Sequence, residues 1–218
     1  MKNSYDDYDY NIKYALIGDK LVGKTKLKIR FKKNIYSESS LATVGSDIIS
    51  KKLKIEDKII RLTIYDTTGG GIYLPLPKNA NLACVIFVYS ITDKKSFENI
   101  GNYLEKFKNY DNKLLFKVLV GNKSDDKGNK FREVKEEEGT KFAQENNMLF
   151  FETSAEVNKN VKEIFEQSAH EILKKINKGE YDLNNPSCGI RKGTTIQERS
   201  AIGKDKKKCE TCCSCYIF

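Results

Sequence analysis

Six short apolar runs, separated by amphipathic stretches of helical spacing, restrict the possible fold more than any other feature of the sequence. They predict strands at 14–17, 48–55, 59–65, 82–89, 114–120 and 149–152. Between them, apolar residues recur at helical intervals over 97–107 and again over 161–176. Strand–helix alternation of this kind predicts an α/β fold, a mostly parallel sheet with helices on both faces. A turn at Glu56-Asp57 predicts a hairpin, and therefore one antiparallel strand.

The apolar periodicity covers only part of the 218 residues. It predicts an N-terminal tail over 1–10, one domain over 11–176, a flexible linker over 177–208 and a cysteine-rich end over 209–218. The net charge of +9 favours anionic partners. The longest nearly apolar run, 82–91, has ten residues. Since a bilayer-spanning helix needs roughly 20, we expect neither a spanning helix nor, from the polar first residues, a signal peptide.

The first predicted strand runs directly into a glycine-rich turn, Gly18-Asp19-Lys20-Leu21-Val22-Gly23-Lys24-Thr25. This segment fits G-x-x-x-x-G-K-[ST], in which backbone N–H groups and a helix N-terminus surround phosphates. The catalytic lysine would contact the terminal phosphates, and the last hydroxyl would bind Mg²⁺. The alternative is an ordinary strand–turn–helix junction. The predicted phosphate-binding residues are Gly18, Lys20, Val22, Gly23, Lys24 and Thr25.

A second motif, Asn122-Lys123-Ser124-Asp125, follows another predicted strand about 100 residues later. A carboxylate can accept two hydrogen bonds from the N1–H and amino group of guanine, and adenine offers no such pair of donors. We therefore predict that Asp125, with Asn122 and Lys123, selects a guanine nucleotide. A P-loop kinase or ATPase is disfavoured for the same reason.

Two shorter segments complete the predicted site. In Asp66-Thr67-Thr68-Gly69 the carboxylate can hold Mg²⁺ through water, and Gly69 can meet the γ-phosphate. In Thr153-Ser154-Ala155, which follows the last strand, a backbone N–H can meet guanine O6. Both segments lie at strand ends.

These four motifs, in their order along the chain, resemble those of the Ras-like small GTPases, and the Rab proteins most closely. Segments 36–39, 43–47 and 90–97 are similar to Rab sequences. The resemblance implies a P-loop small GTPase domain with a six-stranded sheet, bound GTP or GDP, and Mg²⁺. It also implies that Thr43 is a catalytic residue and a ligand of Mg²⁺, that Tyr36 lies beside the base and ribose, and that Ala155 meets guanine O6.

The same resemblance implies a switch that controls vesicle traffic. Effector proteins, an exchange factor and a GTPase-activating protein would bind through two switch loops. The chain departs from the family pattern at Gly70, where the family has the glutamine that orients the attacking water, and at Lys20, where the family has a small residue. We expect slow hydrolysis, or in the extreme a GTP-loaded scaffold that recruits effectors. The alternative is a harmless divergence in which Lys20 points to solvent and a partner supplies the missing glutamine.

The sequence closes with Cys215-Tyr216-Ile217-Phe218, a C-a-a-X pattern that predicts a geranylgeranyl group on the cysteine. Cys209, Cys212 and Cys213 are candidates for palmitoylation. Seven of the 18 residues over 191–208 are basic and two acidic, which suits an anionic membrane. We expect a lipid anchor on the cytoplasmic face of an endomembrane or the plasma membrane. A zinc cluster is the weaker reading, and no nucleic-acid signature accompanies the lysines.

Overall fold

A mostly parallel β-sheet with helices on both faces forms the centre of the molecule, as the sequence predicts. The computed structural model describes residues 7–36, 47–67, 81–107 and 114–193. Its strands are β1 Tyr10–Ile17, β2 Asp47–Ile55, β3 Lys58–Asp66, β4 Cys84–Ser90, β5 Phe116–Asn122, β6 Leu149–Thr153 and β7 Ile190–Lys192. Its helices are α1 Lys24–Lys33, α2 Lys94–Phe107, α3 Asp126–Lys130, α4 Glu136–Glu145 and α5 Val161–Asn177.

The six main strands lie in the order β2-β3-β1-β4-β5-β6. Only β2 runs antiparallel within this set, because it forms a hairpin with β3 through the predicted turn at Glu56-Asp57. All the other neighbours in this order are parallel. The carboxyl ends of β1, β3, β5 and β6 therefore meet at one edge of the sheet, which is where ligands bind in open α/β sheets.

The strand β4 shows why the longest apolar run is a strand and not a helix. Cys84, Ile86 and Val88 face the core beneath α1 and α5, whereas Val85 and Phe87 face the core beneath α2 and α4. Every residue of the strand is buried. A parallel strand covered by helices on both faces is apolar throughout, not alternating.

The prediction of a flexible linker from residue 177 is wrong for residues up to 193. After α5 the chain packs back on the domain, burying Tyr181, Cys188 and Ile190. β7 pairs antiparallel with the beginning of β1, with Ile190 opposite Ile12. It occupies the flank of β1 that β4 leaves open, since the β4 pairing starts at Tyr14. Isolated apolar residues in a polar loop make no periodic pattern, so composition alone indicated a linker.

The beginning of the domain also lies earlier than predicted. β1 starts at Tyr10, inside the predicted tail, and the Asp9 backbone bonds both to Ile59 of β3 and to Gly193 after β7. The two ends of the described chain are thus tied together at the edge of the sheet opposite the predicted site. Within the described residues, no helix has the length and apolar content needed to cross a membrane.

Candidate nucleotide-binding site

The glycine-rich turn lies between β1 and α1, and its backbone is in close contact with two other strands. Gly18 has φ +150° and Gly23 has φ +97°, values that side-chain-bearing residues rarely adopt. A Cβ on Gly18 would lie 2.0 Å from the carbonyl oxygen of Val88, and one on Gly23 would lie 2.3 Å from Asn122 Nδ2. Neither position can accept a side chain, so both glycines of the motif are required by the fold of the loop.

Lys24, the motif lysine, lies inside the loop and is only 5% exposed. Its Nζ donates hydrogen bonds to the carbonyl oxygens of Gly18, at 2.9 Å, and Asp19, at 2.7 Å. Burial lowers the pKa of Lys24 to about 8, although the carboxylates of Asp66 and Asp19 act in the opposite direction. A cation held at the N-terminus of α1 is placed to receive phosphate oxygens.

Two of the three side chains predicted to hold Mg²⁺, those of Thr25 and Asp66, are in direct contact. Thr25 Oγ1 donates to Asp66 Oδ2 at 2.7 Å, and Asp66 is fully buried at the end of β3. Its other oxygen, Oδ1, is buried and has no hydrogen-bond partner among the described residues. A hydroxyl beside a carboxylate with an unsatisfied oxygen suits a hard cation that prefers oxygen ligands, so these residues fit Mg²⁺. When bound, Mg²⁺ would neutralise phosphate charge there.

One buried cation at this site is absent from the motifs. Lys28 lies one helical turn after Lys24, and its Nζ is 2.8 Å from Asp66 Oδ2. The exposed fractions of the two side chains are 2% and 0%. The only sequence signal was a lysine at an i, i+4 spacing from the motif lysine, on the buried face of α1.

The side chain of Asp19 ties the loop to α2. Its carboxylate accepts hydrogen bonds from Asn99 Nδ2 and from Tyr103 Oη, both at 2.7 Å. These contacts join residues about 80 positions apart, and no sequence pattern predicted them. The next loop residues, Lys20 and Leu21, project outwards from the anchored backbone and are exposed.

Three of the predicted base-recognition residues, Asn122, Asp125 and Ser154, make hydrogen bonds between the segments of the site. Asn122 Nδ2 donates to the carbonyl of Val22 at 2.8 Å, and its Oδ1 accepts from Thr153 Oγ1 at 3.1 Å. Ser154 Oγ donates to Asp125 Oδ2 at 2.8 Å. Asn122 thus joins the phosphate loop, β5 and β6, while Ser154 orients the carboxylate that we predict accepts from guanine. Lys123 lies in the left-handed region at φ 69°, and burial lowers its pKa.

Tyr36 lies beside the segment that contains Ala155. Arg30 Nε donates to the carbonyl of Ala155 at 2.8 Å, and its guanidinium lies 5.6 Å from the centre of the Tyr36 ring. Tyr36 Oη in turn contacts a Glu156 carboxylate oxygen at 3.4 Å. The structure therefore brings the tyrosine and the predicted O6-contacting residue to the same side of the site. Assignment of these residues to particular nucleotide atoms stays a prediction.

Several predicted residues lie outside the described part of the chain. They are Thr43, Gly69, Gly70, Cys209, Cys212, Cys213 and Cys215. The remaining predicted residues, from the phosphate loop to Ala155, border the carboxyl edge of the sheet.

A sequence model of the Ras family matches residues 13–174, which is most of the chain. The chain therefore belongs to the Ras family. Members of this family are small GTP-binding switches that bind GTP and GDP with Mg²⁺, hydrolyse GTP, and interact with regulators and effectors. The predictions of a Ras-like small GTPase and of its fold are confirmed.

Proposed function

We propose that this Ras-family protein is a Rab-like switch that is anchored to membranes, hydrolyses GTP slowly and controls vesicle traffic. The observation that carries the proposal is the phosphate loop, in which a lysine replaces the small residue of the family pattern. Support for a Rab-like switch comes from the segments at 36–39, 43–47 and 90–97. The last of these connects β4 to α2, where Ser96 Oγ accepts from the Ser90 N–H at 3.0 Å.

Two features favour slow hydrolysis. Lys20 follows Asp19, whose carboxylate is held by the bonds from Asn99 and Tyr103, and its exposed side chain is long enough to extend over the phosphate end of the site. A long cation there occupies space that an arginine finger from an activating partner needs, and such a finger contributes about 10³–10⁵ in rate. Gly70, in addition, has no side chain with which to orient the attacking water.

The first test measures nucleotide binding and single-turnover hydrolysis in the purified full chain. We expect tight binding of GDP and GTP, weak binding of ADP and ATP, and a hydrolysis rate below about 3 × 10⁻⁴ s⁻¹, the intrinsic rate of Ras. Equal affinity for ATP and GTP would exclude the guanine assignment. A rate above the Ras value would exclude slow hydrolysis while leaving the switch in place.

Anchoring is supported by the C-a-a-X pattern of Cys215-Tyr216-Ile217-Phe218, which is typical of a prenylated cysteine. A single prenyl group gives reversible binding, and the lysines at 204–208 would add attraction to anionic lipid.

The anchor is tested by the distribution of Cys215→Ser between membrane and soluble fractions in cells, with Ser214→Ala as the neighbouring control. We expect the cysteine variant to move to the soluble fraction and the control to stay with membranes. Retention of Cys215→Ser on membranes would show that another element binds them, and the prenylation proposal would be withdrawn.

The second candidate is a GTP-loaded scaffold, favoured by the same Lys20 and Gly70 pair. It differs in one observable: a scaffold would be recovered from cells with GTP bound and would show no measurable turnover in a single-turnover assay. A slow switch would show a low but measurable rate in the same assay.

A further inference from the structure

A buried lysine, Lys28, lies beside the predicted metal site. Lys28 Nζ lies 2.8 Å from Asp66 Oδ2, and the same oxygen accepts the hydroxyl of Thr25 at 2.7 Å. Both charged side chains are almost completely removed from solvent. The lysine thus contacts the very carboxylate that is predicted to hold Mg²⁺ through water.

The charge count at this position is unusual for a site that must attract a divalent cation. Among the described residues that fit Mg²⁺, Thr25 is neutral and Asp66 supplies one negative charge. The ammonium group of Lys28 offsets that charge. Lys24 is a second buried cation, only 5% exposed, and the carboxylate of Asp19 offsets part of its charge. An ammonium group 2.8 Å from the carboxylate repels any second cation at that carboxylate, so the protein's own contribution to Mg²⁺ binding is reduced.

We propose that Lys28 competes with Mg²⁺ for Asp66, so that the protein retains Mg²⁺ weakly and releases nucleotide at Mg²⁺ concentrations that would otherwise prevent release. The inference rests on the nucleotide and Mg²⁺ binding of the proposed function and concerns its metal dependence. Lys28 acts through the carboxylate and is a positioning residue, not a catalytic one.

The competing explanation is a purely structural ion pair. It predicts a different hydrogen-bonding pattern at the carboxylate. If the lysine served only to neutralise a buried charge, the remaining polar atoms would be expected to have partners as well. Asp66 Oδ1 has none among the described residues. One oxygen is shared between a hydroxyl and an ammonium while the other is left unsatisfied, which fits a carboxylate whose second partner arrives with the nucleotide.

The experiment measures release of fluorescent mant-GDP from the full chain into excess GDP, from chelated to millimolar free Mg²⁺. Lys28→Met removes the charge, Lys28→Gln keeps a hydrogen-bond donor without the charge, and Lys32→Met removes an exposed charge from the same helix. We expect the Mg²⁺ concentration for half-maximal retention to fall at least about tenfold in both Lys28 variants. It should be unchanged in Lys32→Met.

Each outcome decides the question. A lower half-maximal Mg²⁺ concentration in Lys28→Gln supports competition by charge even if Lys28→Met does not fold. An unchanged concentration in folded Lys28→Gln overturns the proposal. Failure of both variants to fold with GDP and Mg²⁺ present also overturns it, because the lysine would then be structural. If the wild-type chain bound no mant-GDP at any Mg²⁺ concentration, the proposed function itself would be wrong.

Discussion

The two ends of the nucleotide site are built differently. At the base end, the side chains of Asn122, Asp125 and Ser154 are joined by hydrogen bonds to one another's segments and to the phosphate loop. At the phosphate end two lysines are buried: Lys28 pairs with Asp66, which keeps one unsatisfied oxygen, and Lys24 is influenced by the carboxylates of both Asp66 and Asp19. The base end matches the family pattern at Asn122, Lys123, Asp125, Ser154 and Ala155. The phosphate end keeps the glycines, the lysine and the hydroxyl of the loop motif but departs from the pattern at Lys20 and Gly70.

The difference indicates where this protein's individual properties lie. Hydrogen-bond selection of a base depends on geometry, so loss of one group at that end should have a large effect on binding. Electrostatic interactions with phosphate and metal vary gradually with charge and distance. Substitutions at that end should therefore change the hydrolysis rate and the Mg²⁺ dependence without abolishing nucleotide binding. Substitutions at the two ends of the site test this contrast.

The largest effect is expected at the base end. Asp125→Asn replaces an acceptor pair with one donor and one acceptor, so affinity for GDP should fall at least about 100-fold, and xanthosine diphosphate should bind better than GDP. Competition against mant-GDP measures both. Asp182→Asn, in an exposed turn before β7, is the control and should bind GDP normally. A loss of less than about threefold in Asp125→Asn would contradict the assignment of the carboxylate to the base.

At the phosphate end, we expect substitutions to increase the rate of GTP hydrolysis. The double variant Gly70→Gln with Lys20→Gly should hydrolyse GTP about ten to a hundred times faster than the wild type in single-turnover assays. The glutamine amide can orient the attacking water, and removal of the lysine opens space beside the γ-phosphate. Each single variant should give a smaller gain, and GDP affinity should change little. If the wild type already hydrolyses GTP as fast as the double variant, other residues compensate for Lys20 and Gly70. The scaffold hypothesis would then be wrong as well.

A smaller effect should follow from loosening the base end without removing its acceptor. Ser154→Ala deletes the hydroxyl that donates to Asp125 at 2.8 Å, and we expect GDP affinity to fall about fivefold, close to the value of one hydrogen bond. Ser168→Ala is the matched control, since its equally buried hydroxyl bonds to Tyr14 at 3.1 Å, far from the site. It should lower stability without changing GDP affinity. Equal affinities for the two variants would show that the base end is less interdependent than its bonds suggest.

The sequence predicts the local features of this molecule better than the contacts between distant segments. The six main strands and the base-recognition residues were predictable, because apolar runs and fixed spacings are local in sequence. Helix α4 gave no signal, since it buries only the small residues Gly139 and Ala143. β7 gave none either, because its pairing with β1 joins segments about 180 residues apart.

At the site itself, the unpredicted features are pairings between residues from different motifs or from none. The Lys28–Asp66 ion pair and the bonds from α2 to Asp19 depend on which side chains the sheet and helices bring together. A lysine in an amphipathic helix is usually exposed, so sequence alone gave no reason to place Lys28 beside the metal site.

The smallest effect concerns backbone strain at the tip of the phosphate loop. Leu21 has φ 64° and its side chain is 67% exposed, so it loses roughly 1 kcal/mol to the left-handed conformation and recovers little by burial. Asparagine tolerates this conformation, and Leu21→Asn should therefore raise the free energy of unfolding by about 0.5 kcal/mol. Leu21→Gly should be nearly neutral, because the relief of strain is offset by the greater entropy of the unfolded chain. Leu21→Ala keeps the strain and deletes the exposed side chain, so it should also be neutral. Urea denaturation at a fixed excess of GDP and Mg²⁺, corrected for any change in GDP affinity, measures all three. If alanine stabilised the protein as much as asparagine, the gain would come from losing an exposed apolar side chain, and the backbone at this end of the site would carry no strain.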